Sequence, residues 1–563
     1  RLIERVRCAV WLDASVVLEE MRISEDRTRV DLAYRINPGV LYRVRSITFR
    51  GEFDFYTEDD IVERLQVREG GVFVKSEVEG RIGSRRPSDR QRISNMFANK
   101  GFPSVEVDQP QFVYSLPGVV DIIYTIRQNQ QQRIARVIIR GNDATKSSVI
   151  RRLLSVQPGD YYNRQRIQED TIRLIRQDWF TRTPVPGVNI THVPASGPYD
   201  PEEWVDIVVD VEEGQTGTIN FGVGFNTERG LIGYVNLTKR NFDILDWPTF
   251  TGAGQTLELS ARPGLESQNY SISFREPSFF GTRFSYDISF AFDTDAQPSF
   301  STREWIFSTG LGYELVPDLI LKLDYTWNWF RAFDIDPGAS LAIQEAEESQ
   351  IYSSLRLGLF FDQRDDIFLP TRGTNFELSY EIGGRYLGAT VDYWQIASRF
   401  SYTVPNPFLS PGESFAETSA ISFRLAFDWQ EPYGPTSRVP ILRRLPLGGP
   451  SNPRKPALRG FAEEGIGPRD PSGASLRGTV RLVGNVEFRY PLQPGILYGV
   501  VFLDAGQLAE DMDTVVSNRW NLAWGFGVRL RVPISPAPLA LDFGFPINLF
   551  DDDIEQTVSF TLG

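Results

Sequence analysis

The sequence predicts repeated α+β modules of β-α-α-β-β order followed by a 16-stranded antiparallel transmembrane β-barrel, and three observations predict it. A unit in the first 213 residues recurs at a spacing of 90. Residues 214–563 alternate apolar and polar almost throughout. No run of about 18 apolar residues occurs, so a membrane would be crossed by strands and not by a helix.

The recurring unit opens with the strand Arg45-Ser-Ile-Thr-Phe-Arg-Gly51 and a helix after Thr57 (EDDIVERLQV). The turn Gly70-Gly71-Val-Phe73 follows, then a second helix ending at Lys100-Gly-Phe102, then strands around Val105 and over Val119–Ile126. The next unit repeats the order with Arg136-Val-Ile-Ile-Arg-Gly141, KSSVIRRLLSV, the turn Pro158-Gly-Asp-Tyr161, a helix reaching Asp178-Trp-Phe180, and strands at Val188 and Val205–Val211. Gly51 and Gly141 stand 90 apart, and VDL (30–32), VDI (120–122) and VDI (205–207) recur at 90 and 85. A fixed period of this kind marks repeated modules, each a helix pair on a three-stranded mixed sheet. Residues 1–21 read as helix, so the chain is expected to open inside an earlier unit. The expected organisation is a partial module at 1–43, modules at 44–129 and 130–213, and a barrel at 214–563.

In the second part, runs such as Phe284/Tyr286/Ile288/Phe290/Phe292 and Trp524/Phe526/Val528/Leu530/Val532 place apolar side chains on one face and Ser, Thr, Gly and charged residues on the other. Sixteen such runs can be counted, from 218–226 to 555–563, and an even number returns both ends of an up-and-down barrel to the same side. Aromatic residues gather toward strand ends, as at a membrane interface. Residues 431–476 are Pro- and Gly-rich and far longer than a hairpin loop of about 2–5 residues.

Composition excludes several chemistries. The chain has one Cys (Cys8) and one His (His192), which rules out an internal disulfide, a cysteine-cluster metal site and a two-histidine zinc site. His192 lies outside the barrel segment and reads as a surface residue between strands, so no Ser-His-Asp set is expected there. Net charge is −14, with 31 Lys+Arg against 32 Asp+Glu before residue 214 and 28 against 41 after it. That balance speaks against a nucleic-acid surface. Asp362, Asp365 and Asp366 read as turn formers, and the Arg-rich stretch Arg81–Arg92 as a solvated helix face.

The long loop contains Leu458-Arg459-Gly460-Phe461. By alternation Val486, Phe488 and Tyr490 face outward, which leaves Glu487 inside; Val501 and Leu503 face outward, which leaves Phe502 and Asp504 inside. An arginine folded into the lumen is therefore expected to bond both carboxylates, with Gly460 allowing close approach.

Beyond LRGF and the strand Phe502-Leu-Asp-Ala-Gly506, the chain carries Gly222-Val-Gly-Phe-Asn226, Phe274-Arg-Glu-Pro-Ser-Phe-Phe-Gly281, Asp362-Gln-Arg-Asp365 with Pro370-Thr-Arg-Gly373, Gly525-Phe-Gly-Val-Arg529 and Leu541-Asp-Phe-Gly544. Through these motifs, together with the repeats, it resembles the BamA family of outer-membrane β-barrel assembly factors, within the superfamily that pairs periplasmic POTRA repeats with a 16-stranded barrel. The resemblance implies a non-enzymatic insertase of the cell outer membrane, with no cofactor or metal and with POTRA domains in the periplasm. Its implied partners are unfolded outer-membrane β-barrel clients, periplasmic chaperones, accessory lipoproteins on the POTRA domains, and outer-membrane lipid, with no nucleic acid. It makes Leu458, Arg459, Gly460 and Phe461 a loop-lock motif, with Glu487, Phe502, Asp504 and Gly506 as its lumen partners. The implied working edge is a lateral seam between Gly222, Val223, Gly224 and Phe225 of the first strand and Val558 and Phe560 of the last. The alternatives are a TamA-like translocation and assembly factor, and a two-partner secretion transporter that exports a soluble passenger through the lumen.

Overall fold

The computed structural model describes residues 15–23, 30–80, 87–181, 187–226, 230–297, 300–406, 419–450, 456–471, 473–516, 519–532 and 538–562. Two compact units divide at Gln215 and Thr216.

The first unit begins with a hairpin, β1 (Ser15–Ile23) against β2 (Val30–Asn37), with a bulge between Leu18 and Glu20. This corrects the helix expected over residues 1–21, of which 1–14 lie outside the described residues. In SVVLEEMRI a two-residue alternation holds only in pieces, Val16/Leu18 and Met21/Ile23, on either side of the bulge, so the pattern alone leaves helix open and the pairing partner decides for strand.

The next module contains β3 (Arg43–Glu52), α1 (Glu58–Arg64), α2 (Lys75–Glu79), α3 (Asp89–Ala98), β4 (Glu106–Val107), β5 (Gln111–Leu116) and β6 (Val119–Arg127). The two-residue β4 is the strand expected around Val105, and the short α2 and the strand β5 are additions to the expected order. Helix starts follow from chemistry: Thr57 with Asp60, and Ser88 with Gln91, form capping boxes that satisfy amides of the first turn. β3 lies parallel to β6, and β4 and β5 pair antiparallel with it. Residues 81–86 of the Arg-rich stretch lie outside the described residues; Arg90, on α3, donates through Nε to the Val107 carbonyl at 2.7 Å.

The following module has β7 (Arg133–Arg140), α4 (Ser147–Leu153), α5 (Arg164–Ile175), β8 (Val188–Pro194) and β9 (Trp204–Val211), in the sheet order β7-β9-β8. The two modules repeat at the level of single contacts. A Cβ on Gly51 would stand 2.1 Å from the Ile126 carbonyl oxygen, and one on Gly141 2.0 Å from that of Val211, so the crossing strand dictates glycine at both. Arg45 Nε donates to Asp121 at 2.8 Å, and Arg136 Nε to Asp206 at 3.0 Å. Hydrogen bonds from Arg45, then from Ser46, hold the Asp121 carboxyl down at about 2. The buried carboxylates Asp89 and Asp170 each accept backbone N–H groups from the turn after a helix, at Gln66 and Val67 and at Ser155 and Val156. His192 is not in a segment between strands as expected. It belongs to β8 opposite Ile207 and stands edge-on to the Tyr162 ring, centroids 5.0 Å apart.

The second unit is one antiparallel sheet of sixteen strands with neighbours in chain order. Its strands, with one short loop strand among them, are β10 (Gly217–Asn226), β11 (Gly230–Phe242), β12 (Gln255–Pro263), β13 (Ser267–Glu276), β14 (Phe284–Gln297), β15 (Phe300–Val316), β16 (Leu319–Phe333), β17 (Gln350–Asp362), β18 (Gly373–Gly383), β19 (Tyr393–Pro405), β20 (Ala420–Pro432), loop strand β21 (Gly460–Phe461), β22 (Val480–Gln493), β23 (Leu497–Ala509), β24 (Asn521–Leu530) and β25 (Leu539–Pro546). The chain ends with the short β26 (Glu555–Gln556) and the wall strand β27 (Val558–Leu562).

Alternation sets the wall. Val501 and Leu503 are about half exposed on the outside, while Phe502 and Asp504 between them are buried. No described helix is long and apolar enough to cross a membrane.

Candidate functional site: the locked loop and the seam

Between β20 and β22 the chain turns back into the lumen, where Leu447, Leu458, Phe461 and Ile466 pack against Val483 and Ala523 of the wall. This core delivers LRGF to the inner face of β22 and β23. Arg459 Nε and Nη2 donate to the two oxygens of Asp504, both at 2.8 Å, and its own backbone N–H reaches Asp504 Oδ2 at 3.2 Å. Its Nη1 donates to Glu487 Oε2 at 2.6 Å. The guanidinium lies over the Phe502 ring, 3.4 Å from the centroid. Arg459 is 2% exposed, Glu487 5% and Asp504 0%, so these charges depend on one another in place of water.

Leu458 enters a recess at Gly506, where an added Cβ would lie 2.3 Å from Leu458 Cδ1. Gly460 adopts φ +89°, a left-handed conformation, and packs against Gly544. Phe461 is buried in the same core.

Sequence reasoning missed the rest of the charge cluster. Arg529 Nη1 bonds Asp542 at 2.7 Å, Arg529 Nη2 lies 3.5 Å from Glu487, and Arg424 lies 4.0 Å from Glu487. Three arginines thus face three carboxylates. The only sequence signal was parity, since each of these residues falls on a lumen-facing position of its strand. Two further anchors hold the loop: Arg481 bridges Asp428 and the Pro446 carbonyl at 2.7 Å, and Arg443 bonds Glu381 and Tyr393.

The last strand differs from the expected 555–563 run. Glu555 and Gln556 leave the wall and pair with Phe461 and Gly460, so β26 belongs to the loop. Only Val558–Leu562 pairs with β25.

β10 and β27 approach within 8 Å between Cα atoms, yet among the described residues no ladder joins them. Val223 is 67% exposed and Val558 43% exposed. The ring of Tyr234, the partner of Gly222 on β11, fills the space a Cβ at Gly222 would take. The backbones of Gly224, Phe225 and Phe560 continue the two facing strands. Among the described residues no three His, Cys, Asp or Glu side chains gather to hold a metal.

The sequence is 24% identical to the outer membrane protein assembly factor BamA of Nitratidesulfovibrio vulgaris over 96% of this chain and 63% of that one. It is also 24% identical to BamA of Neorickettsia risticii over 87% of this chain and 61% of that one. The chain therefore spans about three-fifths of the length of these curated relatives. Among solved structures, BamA from Haemophilus ducreyi lacking POTRA domains 1–3 shares the fold at a TM-score of 0.62 and 20% identity, over 92% of this chain and 99% of that one. CdiB from Acinetobacter baumannii does so at 0.52 and 15% identity, over 93% and 90%. A POTRA repeat, described as a surface antigen variable number repeat, matches residues 132–214. Since the Omp85 superfamily domain matches residues 250–563, which take in the locked loop and β27, the chain belongs to the Omp85 superfamily.

Proposed function

We propose that this protein inserts β-barrel proteins into an outer membrane, using the seam between β10 and β27 as a template for client strands. The observation that carries this reading is the seam itself. Every other pair of neighbouring wall strands shares a ladder, whereas β10 and β27 lie side by side without one among the described residues. A nascent barrel strand has backbone groups that hydrocarbon cannot satisfy, and an unpaired strand edge satisfies them. The names of the curated relatives support assembly as the activity.

In this reading residues 1–43, 44–129 and 130–213 are periplasmic POTRA modules. Edge strands such as β8 offer β-augmentation to clients passed on by periplasmic chaperones, and other faces receive accessory lipoproteins. The lock at Arg459, Glu487 and Asp504 keeps the loop seated and makes no or breaks no covalent bond. A TamA-like factor would use the same chemistry.

The test is a scan of cysteine pairs, one in Val223–Phe225 and one in Val558–Phe560, with Cys8 replaced by Ser. A pair that crosslinks under oxidation should stop insertion of a urea-unfolded eight-stranded outer-membrane barrel into liposomes, and reduction should restore it. Equal insertion by the sealed and open forms would overturn the proposal.

A further inference from the structure

The turn between β17 and β18 carries the Asp362-Gln-Arg-Asp365 and Pro370-Thr-Arg-Gly373 motifs, and the lock and seam give neither of them a role. In strand order, β17 and β18 are the eighth and ninth wall strands, β22 the twelfth and β24 the fourteenth. Alternation places Arg489 on the lumen face of β22, in line with Glu487, and carries the lumen-facing parity of Arg529 on to Arg531 just beyond β24. Both bond the distant turn. Arg531 Nη2 meets Asp366 Oδ2 at 2.6 Å, and Arg489 Nη2 donates to the Pro370 carbonyl.

The turn is built to reach. Asp366 accepts the N–H groups of Phe368 and Leu369 at 2.8 and 3.0 Å, and Asp365 accepts that of Thr371 at 2.8 Å, which stiffens its tip. Leu369, only 5% exposed, and Pro370 are buried although they belong to a strand connection at the rim. Arg489 is 3% exposed, so the contact is an interior one.

We infer that residues 363–372 form a strap across the lumen floor, riveted by Asp366–Arg531 and Pro370–Arg489, which closes that end to anything larger than small solutes. Its end of the barrel is the one at which the chain enters the sheet at Gly217; the locked loop occupies the other. The inference rests on the insertase reading to this extent: a lumen closed at the floor leaves the seam as the route for a client and excludes passage of a polypeptide down the barrel. The geometry of the strap itself does not depend on how clients are inserted.

The test reads access to the lumen. Ser379 is 5% exposed on the inner face of β18, between outward Leu378 and Tyr380, and takes part in neither rivet. In the full chain with Cys8 replaced by Ser, Ser379→Cys is labelled with N-ethylmaleimide or with a maleimide carrying a polyethylene glycol chain. The unmodified strap should admit the first and slow the second. Arg531→Ala should accelerate the bulky reagent several-fold and leave the small one unchanged, while Arg531→Lys and the swap Asp366→Arg with Arg531→Asp should return it toward the starting rate. Heat-modifiable gel mobility restricts the comparison to folded barrels.

Equal bulky-reagent rates with and without Arg531→Ala, fast or slow, would overturn the strap. The seam crosslink is scored separately, so loss of the insertase reading with the strap intact, or the reverse, is recognisable.

Discussion

Leu458 occupies the space that a side chain on Gly506 would need, with 2.3 Å between its Cδ1 and an ideal Cβ at that position. The backbone carbonyl of Leu482 lies 3.4 Å away on another side, so the wall cannot yield easily. Gly506→Ala should therefore lift the LRGF segment and cost ~1–3 kcal/mol, the range for overpacking a filled core. Faster proteolysis within residues 431–476 and a lower urea midpoint check it; unchanged proteolysis would show that the recess has slack.

Arg459→Ala removes the cation between Asp504 and Glu487 and leaves two buried carboxylates short of a partner. Breaking a buried pair from one side costs roughly 3–5 kcal/mol, and much of that is the penalty of the stranded charge. Arg459→Lys should recover only part, because an ammonium cannot span both oxygens of Asp504 while reaching Glu487. Replacing Arg459 and Asp504 together by apolar residues should cost less than the sum of the single changes. The loss of heat-modifiable mobility on warming measures each variant, the single Asp504 change and the unmodified chain, and strict additivity would argue against direct coupling.

Much of this was legible in the sequence, because each legible feature has a short-range signature. Alternation assigns Glu487 and Asp504 to one face without any structure, and the recurrence of Gly51 at Gly141 exposes the modules. The remaining lumen charges were not legible: Asp542 and Arg529 are 13 residues apart in sequence, but only the β24–β25 register, with Gly527 opposite Asp542, brings them together. The diversion of Glu555 and Gln556 was hidden for the opposite reason. EQTVSF alternates equally well whether its first residues pair with the wall or with the loop. Ser15–Ile23 is a strand whose bulge breaks its alternation between Leu18 and Glu20, so only its hairpin partner reveals it.

His192 provides a pH probe. Burial against Tyr162, with a further contribution from nearby Arg164, holds its imidazole below the ordinary value of 6.5. The unfolded chain therefore takes up this proton first as pH falls. The stability associated with a neutral His192 is complete above about 6.5 and is lost as pH drops through the lower folded midpoint. Because the chain has one histidine, a single imidazole resonance reports the titration. A midpoint at or above 6.5 would contradict the burial argument.

The lock should also be felt at the last strand. Gly460 and Phe461 pair with Gln556 and Glu555, Ala462 N–H donates to the Ile554 carbonyl at 3.0 Å, and Ile554 N–H donates to that of Gly465 at 2.8 Å. Above Val558 the chain's one backbone link to β25 is Gly544 N–H to the Thr557 carbonyl at 2.8 Å, among the described residues. The loop, more than the wall, therefore holds residues 554–556, and Arg459 holds the loop. Arg459→Ala should speed amide exchange at Ala462 and Ile554 by at least an order of magnitude, since roughly 1.4 kcal/mol of lost local stability is a tenfold change. Amides of the β15–β16 ladder should keep their rates. Cysteine pairs across the seam should crosslink at a changed rate in the same variant, because the residues entering β27 have lost their tether. Exchange at Ile554 that stays slow while the loop becomes protease-sensitive would show that residues 554–556 hold their place without the lock, and that the seam answers to the wall alone.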